Sequence, residues 1–210
     1  MSLGCQYVSG VSERLALLEK EMVQVTACKR YKGSNKSSFT FNSFNTLITI
    51  IDENSRKPQV AIEYVEKLSD YFRSILQYRE QETISLEEEW ELVQDYGYLL
   101  KKRYGANLRL HMDVPNKECC IPTLTLQMLV ENAVKHNVIA SHKPLDVFIT
   151  IEDGYVIVKN NLQPKSKAEP SNQFGLQSIV NRYELMGEKK VIIEKSSEHI
   201  RVHIPIIPNN

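Results

Sequence analysis

Four polar side chains break an otherwise apolar run at Leu129-Val130-Glu131-Asn132-Ala133-Val134-Lys135-His136: Glu131, Asn132, Lys135 and His136. On a helix, four-residue spacing sets Glu131 beside Lys135 and Asn132 beside His136. A carboxamide such as Asn132 can hold Mg2+ through its oxygen, and a lysine one turn on can reach the phosphates that the ion bridges. Taken alone, a Glu-Asn pair on a helix also fits a solvated edge, so the surrounding pattern has to decide.

The elements that would carry these groups follow from periodicity. Val11, Leu15, Leu18, Met22 and Val25 step by fours and threes, the rhythm of a short coiled coil. Residues 32–38 are polar and turn-forming. Phe41, Phe44, Leu47, Ile48 and Ile51 then form an apolar helical stripe. A second runs from Pro58 as a first-turn residue through Val65, Leu68, Phe72 and Ile75. A third starts at Ser85, with Glu88 at the capping-box position, and stops at Gly105.

Beyond residue 107 the texture changes. Leu108, Leu110 and Met112 alternate with polar residues as in a strand, and residues 122–138 are spaced as a helix. Asp153-Gly154 separates two β-rich runs as a tight hairpin turn. Residues 175–186 read as a further helix, and 191–194 and 200–206 as strands. The expected fold class is α+β: a helical dimerisation segment, or bundle, followed by a two-layer α/β sandwich. The domain reading is 1–33 for a tag and coiled-coil linker, 34–107 for the helical domain and 108–210 for the sandwich.

Composition sets limits. Lys+Arg and Asp+Glu balance at 26 each in 210 residues, giving no global field for nucleic acid or an anionic membrane. The four cysteines have neither CxxC spacing nor a disulfide framework, which fits reduced thiols. No apolar stretch reaches membrane-spanning length. Met1-Ser2-Leu3 has the look of a cloning scar, which leaves room for a sensor or membrane region outside this chain.

Several ordered motifs over residues 39–206 resemble LytS-type sensor histidine kinases, within the superfamily that joins histidine kinases to gyrase-type ATPases. The stretch ending Glu131-Asn132-Ala133-Val134-Lys135-His136 is similar to that family's N box. Phe39-x-Phe41-Asn42-Ser43-x-Asn45-Thr46-Leu47 resembles its acceptor-helix motif, PHFLFNSLNTL. Leu68-Ser69-Asp70-Tyr71-x-Arg73, Leu86-Glu87-x-Glu89 and Arg103-Tyr104-Gly105 match later helical motifs. Asn160-Asn161 sits at a strand end where the family has DNGxG, and Phe174-Gly175-Leu176-x-x-Ile179-x-x-Arg182 is similar to its GxGLxNxxxR box.

The resemblance implies the cytoplasmic core of a kinase that binds ATP and Mg2+. It implies Glu131 and Lys135 in catalysis, Asn132 on the metal, and Asn132, Lys135, His136, Asn160, Asn161, Gly175 and Leu176 around the nucleotide. A glycine at a helix start, such as Gly175, lets backbone N–H groups approach an anion. The implied partners are a second copy of the chain and a response regulator, with no nucleic acid, and with membrane contact only through a sensor region absent here. The departures are equally specific: Ser38 falls at the phosphoacceptor histidine, Ser37 at the preceding proline, Leu162 and Gln173 at glycines, and Ser178 at the usual asparagine. A serine hydroxyl is a poor substitute for imidazole, so autophosphorylation of this chain is not expected. Met128 stands where related ATPases carry a water-activating glutamate, which argues against simple ATP hydrolysis. The alternative is a pseudokinase scaffold that binds a response regulator or membrane partner without using ATP.

Overall fold

The computed structural model describes residues 20, 38–53, 58–78, 80–114, 119–165, 174–187 and 189–207. The coiled-coil stripe expected over residues 11–25 and the positions of Ser37 and Gln173 lie outside them, apart from Lys20. The chain divides into two compact units: one contains the first two helices, and the other begins at Glu80 and includes everything after it.

The first unit holds α1 (Ser38–Glu53) and α2 (Pro58–Gln77). Pro58 opens α2, where its missing N–H costs nothing. Helix α2 buries Tyr64, Val65, Leu68, Tyr71, Phe72 and Ile75 on the face that its spacing predicts. Helix α1 departs from its predicted stripe. Leu47 is buried, but so are Ser43, Thr46 and Ile50, whereas Ile48 and Ile51 are 56% and 50% exposed. The buried face is turned toward Ser43 and Thr46, and the Thr46 hydroxyl donates to the Asn42 carbonyl at 2.8 Å instead of remaining unsatisfied.

The second unit starts with β1 (Thr83–Ser85) and α3 (Leu86–Tyr104). The expected capping box is present. The Ser85 hydroxyl accepts from the Glu88 N–H at 3.2 Å, and the Glu88 carboxylate accepts from the Ser85 N–H at 2.8 Å. Three acidic residues in the first turn and three basic ones in the last complement the helix dipole. A short 3-10 turn (Gly105–Asn107) leads into β2 (Leu108–Asp113). Then come β3 (Cys120–Pro122), α4 (Thr125–His136), β4 (Leu145–Glu152), β5 (Tyr155–Asn161), α5 (Phe174–Leu185), β6 (Ile192–Lys195) and β7 (His199–Pro205).

Five strands form one sheet in the order β2-β4-β5-β7-β6, parallel between β2 and β4 and antiparallel elsewhere. The β4–β5 turn has positive φ at both Asp153 and Gly154, as a two-residue hairpin with the strands' own twist requires. Val147, Ile149, Val156, Val158, Val202 and Ile204 are buried on the sheet. The Tyr183 hydroxyl of α5 donates to the Pro205 carbonyl of β7 at 2.8 Å. The mixed helix-and-sheet fold is the expected α+β class.

Two features lie beyond the sequence pattern. The strands β1 and β3 form a separate two-stranded antiparallel sheet that three-residue segments do not reveal by alternation. Helix α3 packs within the second compact unit, which runs from Glu80. The reason is packing: α3 buries Leu92, Val93, Tyr96 and Leu99, and a Cβ on its Gly97 would meet Leu110 of β2 at 2.7 Å.

Replacing Ser85 by Ala removes one half of a formed capping box and should lower stability by about 1 kcal/mol. Urea denaturation of the wild type and Ser85→Ala, compared at constant slope, measures it.

Candidate functional site

Helix α4 is the element on which the site is built, and its N-terminus is buried. Leu124 precedes it in the left-handed region (φ 65°) and offers no side-chain cap. The cap comes from another helix. Glu89 of α3, fully buried, accepts from the Leu124 N–H with one carboxylate oxygen and from the Leu126 N–H at 2.9 Å with the other. From α5, Arg182 donates to the Thr123 carbonyl at 2.6 Å and lies 3.4 Å from the Thr125 hydroxyl.

Burial raises the Glu89 carboxyl from its usual 4.5 to about 7, against the opposing pull of the Leu126 and Leu124 amides and of the Arg182 cation. Burial likewise lowers the Arg182 guanidinium, against the attraction of Glu89. For both groups desolvation outweighs their mutual attraction, as is usual for buried charges.

The other end of α4 is tied by neutral groups. The Asn137 N–H and side-chain amide both donate to the Ala133 carbonyl, at 3.2 and 2.8 Å, and its Oδ1 accepts from the Gln163 N–H at 2.6 Å. The Lys165 ammonium donates to the Lys135 carbonyl at 2.7 Å, a cation at the negative end of the helix.

Between these ends one face of α4 lines a cavity of about 440 Å³. Leu129, Asn132, Ala133, His136 and Asn137 are its contribution, recurring at steps of three, one, three and one. Across from them lie Asn160 at the end of β5 and the first turn of α5 with Gly175 and Leu176. Ile193 and Lys195 of β6 stand on the same side of that strand. Among the described lining residues there is no carboxylate, and Lys195 and His136 supply the basic groups. The positive end of the α5 dipole also faces the cavity.

Gly175 approaches Asn132 closely. A Cβ there would sit 3.1 Å from both Nδ2 and Oδ1 of the asparagine. A larger residue would displace the amide, so glycine keeps the α5 backbone against the group expected to hold a metal.

The expected site residues separate into two sets. Asn132, His136, Asn160, Gly175 and Leu176 come together in the cavity. Glu131, Lys135 and Asn161 are not among its lining residues. Glu131 lies on the α3 side of the helix, where its carboxylate adds to burial in raising the Tyr96 phenol. Asn161 braces β4 instead: its Oδ1 accepts from the Asp146 N–H at 2.9 Å and its Nδ2 donates to the Pro144 carbonyl at 3.0 Å. The Asn160 Nδ2 donates to the Asn161 carbonyl at 2.7 Å, leaving Oδ1 as its acceptor. Ser38 opens α1, and its side chain lies outside the described residues.

Sequence reasoning missed Lys195, Ile193 and Asn137 in the cavity. For Ile193 and Lys195 the only signal was strand alternation, which identifies a shared face without saying what it faces. For Asn137 it was the three- and four-residue step from Ala133 and Val134 along the helix.

Residues 34–108 match a family model described as histidine kinase. The sensor histidine kinase/phosphatase LytS of Staphylococcus aureus (strain NCTC 8325 / PS 47) is 32% identical over 120 residues, 56% of this chain and 20% of that protein. Over that stretch the chain is similar to the LytS-type sensor histidine kinases. It spans about a fifth of the length of the curated LytS proteins it matches. Among solved structures, the Acinetobacter baumannii histidine kinase AdeS superposes with a TM-score of 0.41 at 14% identity, covering 94% of this chain and 97% of that one. The catalytic domain of histidine kinase ThkA gives 0.40 at 18% identity, covering 60% and 97%.

The raised Glu89 carboxyl has a signed consequence. Its favourable contribution is complete below about 4.5 and declines as pH rises through about 7, because the folded state holds the proton more tightly than the unfolded chain. Unfolding free energy of the wild type should therefore fall, relative to Glu89→Gln, between pH 5 and pH 8. Denaturant titrations of both proteins at those two pH values measure the difference, and parallel pH profiles would contradict it.

Proposed function

We propose that this chain is the cytoplasmic core of a two-component sensor histidine kinase and that it binds Mg-ATP in the cavity between α4, α5 and strands β5–β7. The observation that carries the reading is the convergence of Asn132, His136 and the glycine-led start of α5 on one anion-favouring cavity. The lining fits a nucleotide: apolar side chains such as Leu129, Val158 and Val202 offer a surface for a base, and polar groups gather toward α4. Bound Mg-ATP would supply a transferable γ-phosphoryl group and the charge neutralisation that its transfer needs.

This chain's residues then have distinct roles. Asn132 Oδ1 would hold the metal, while His136 and the first-turn backbone of α5, at Gly175 and Leu176, would take the phosphates. Lys195 adds a cation on the β6 side. Asn160, its amide nitrogen committed to the Asn161 carbonyl, presents an oxygen that suits an exocyclic amino group such as that of adenine. Lys135 and Glu131 remain candidates for the catalytic step on the family's pattern, although neither lines the cavity.

With Ser38 at the acceptor position, phosphoryl transfer within this chain is not part of the reading. Transfer onto another chain's histidine, and a response regulator as partner, complete it. The localisation that goes with this function is the cytoplasmic side of a membrane-anchored sensor. Dimerisation is supported by Ile48 and Ile51, two large apolar side chains that α1 leaves exposed within its own unit. The second reading, a scaffold that has given up nucleotide, is favoured by Leu162, whose side chain occupies the cavity lining at a position where the family has glycine.

Calorimetric titration of Mg-ATP decides between them. Saturable binding that Asn132→Ala weakens at least tenfold supports the nucleotide site; absence of heat at millimolar Mg-ATP, with no thermal stabilisation, leaves the scaffold. Sedimentation tests the dimer independently. The wild type should sediment as a dimer at tens of micromolar, and Ile48→Glu combined with Ile51→Glu should give monomer.

A further inference from the structure

Helices α4 and α5 touch at two places two turns apart. At one, Gly175 of α5 lies against the Asn132 amide. At the other, Arg182 of α5 reaches the Thr123 carbonyl and the Thr125 hydroxyl at the start of α4. Seven residues separate the two points on each helix, a lever of about 10 Å. A tilt of about 5° about the Arg182 end would move Gly175 by about 1 Å, given the rise of an α-helix. That exceeds the few tenths of an ångström by which the 3.1 Å approach could give.

The Arg182 end is held by hydrogen bonds from the guanidinium to the start of α4, with the attraction of Glu89 added. Its guanidinium is drawn to Glu89, which takes both the Leu124 and Leu126 N–H groups from α3. One cluster thus ties three helices at one point. It is expensive for its size: Arg182 Nε is buried without a hydrogen-bond partner. Apolar residues of similar volume commonly stabilise such a position as well or better, so stability alone does not account for buried charge here.

We propose that Glu89 and Arg182 are positioning residues for the cavity: by tying the start of α4 to α3 and α5, they set the seating of Gly175 against Asn132. The inference rests on the nucleotide reading for its consequence in binding, but the mechanical link is a property of the helices alone. Helix α3 bears on the cavity through Glu89, its tie to the start of α4.

The test uses the full chain and two readouts. Without nucleotide, hydrogen exchange at the Ile179 and Val180 amides, which bond to the first-turn carbonyls of α5, should accelerate at least tenfold in Glu89→Gln and in Arg182→Met. Arg182→Lys, which keeps the charge but lacks the fork, should be intermediate and serves if Arg182→Met fails to fold. Ser85→Ala, which loosens α3 without touching the cluster, should leave that turn unchanged. With Mg-ATP, the same order should appear as weakened affinity, at least tenfold for Arg182→Met. Lower melting temperatures with unchanged exchange at Ile179 and unchanged affinity would overturn the proposal, because a merely structural pair gives that result. Accelerated exchange in these variants, with a wild type that binds no Mg-ATP, would refute the nucleotide reading while sustaining the helix coupling.

Discussion

The buried N-terminus of α4 is the constraint on which the second unit depends. A helix start exposes unpaired N–H groups, and inside a core each needs an acceptor. The chain provides none locally, because Leu124 turns left-handed and carries an apolar side chain. Glu89 answers that need from α3, and a carboxylate in that setting calls for a cation, which α5 supplies as Arg182. The three helices are thereby fixed by the backbone chemistry of one of them.

From that point the cavity follows. With its N-terminus fixed and its C-terminus held by Asn137 and Lys165, α4 has little freedom to rotate, and the face carrying Asn132 and His136 is the one left toward β5 and α5. Opposite ends are tied in different ways. The N-terminal tie is charged and buried; the C-terminal one is mainly neutral amides and backbone at the edge of the fold. The cavity between them carries basic groups, a helix dipole and no lining acid among the described residues, so its electrostatic character comes from the same framework.

Relationship and chemistry meet unevenly along the chain. The segment that matches the histidine kinase family runs over residues 34–108 and so crosses from the first compact unit into the second. Helix α3 belongs to that segment by sequence and to the sheet-bearing unit by packing. Ser38 opens the first helix of the first unit, and Asn132 and Gly175 line the cavity of the second. Fold and activity are separable, so the cavity and the family match are distinct observations on this chain.

What the sequence determined by itself was local. The Ser85–Glu88 capping box, Pro58 at a helix start, the Asp153-Gly154 turn and the presence of α4 and α5 all depend on neighbours within a few residues, and all were legible, although α4 starts at Thr125 and not at Pro122, which belongs to β3. So were Asn132, His136 and Gly175, because their motifs are contiguous. Tertiary structure decided the rest. Glu89 looked like one of three similar first-turn acids until its burial singled it out, and Glu131 and Lys135 could not be told from Asn132 and His136 until the helix had a facing partner. The exposure of Ile48 and Ile51 and the pairing of β1 with β3 were equally out of reach. Periodicity establishes that a face exists; only packing across distant parts of the chain determines what that face meets.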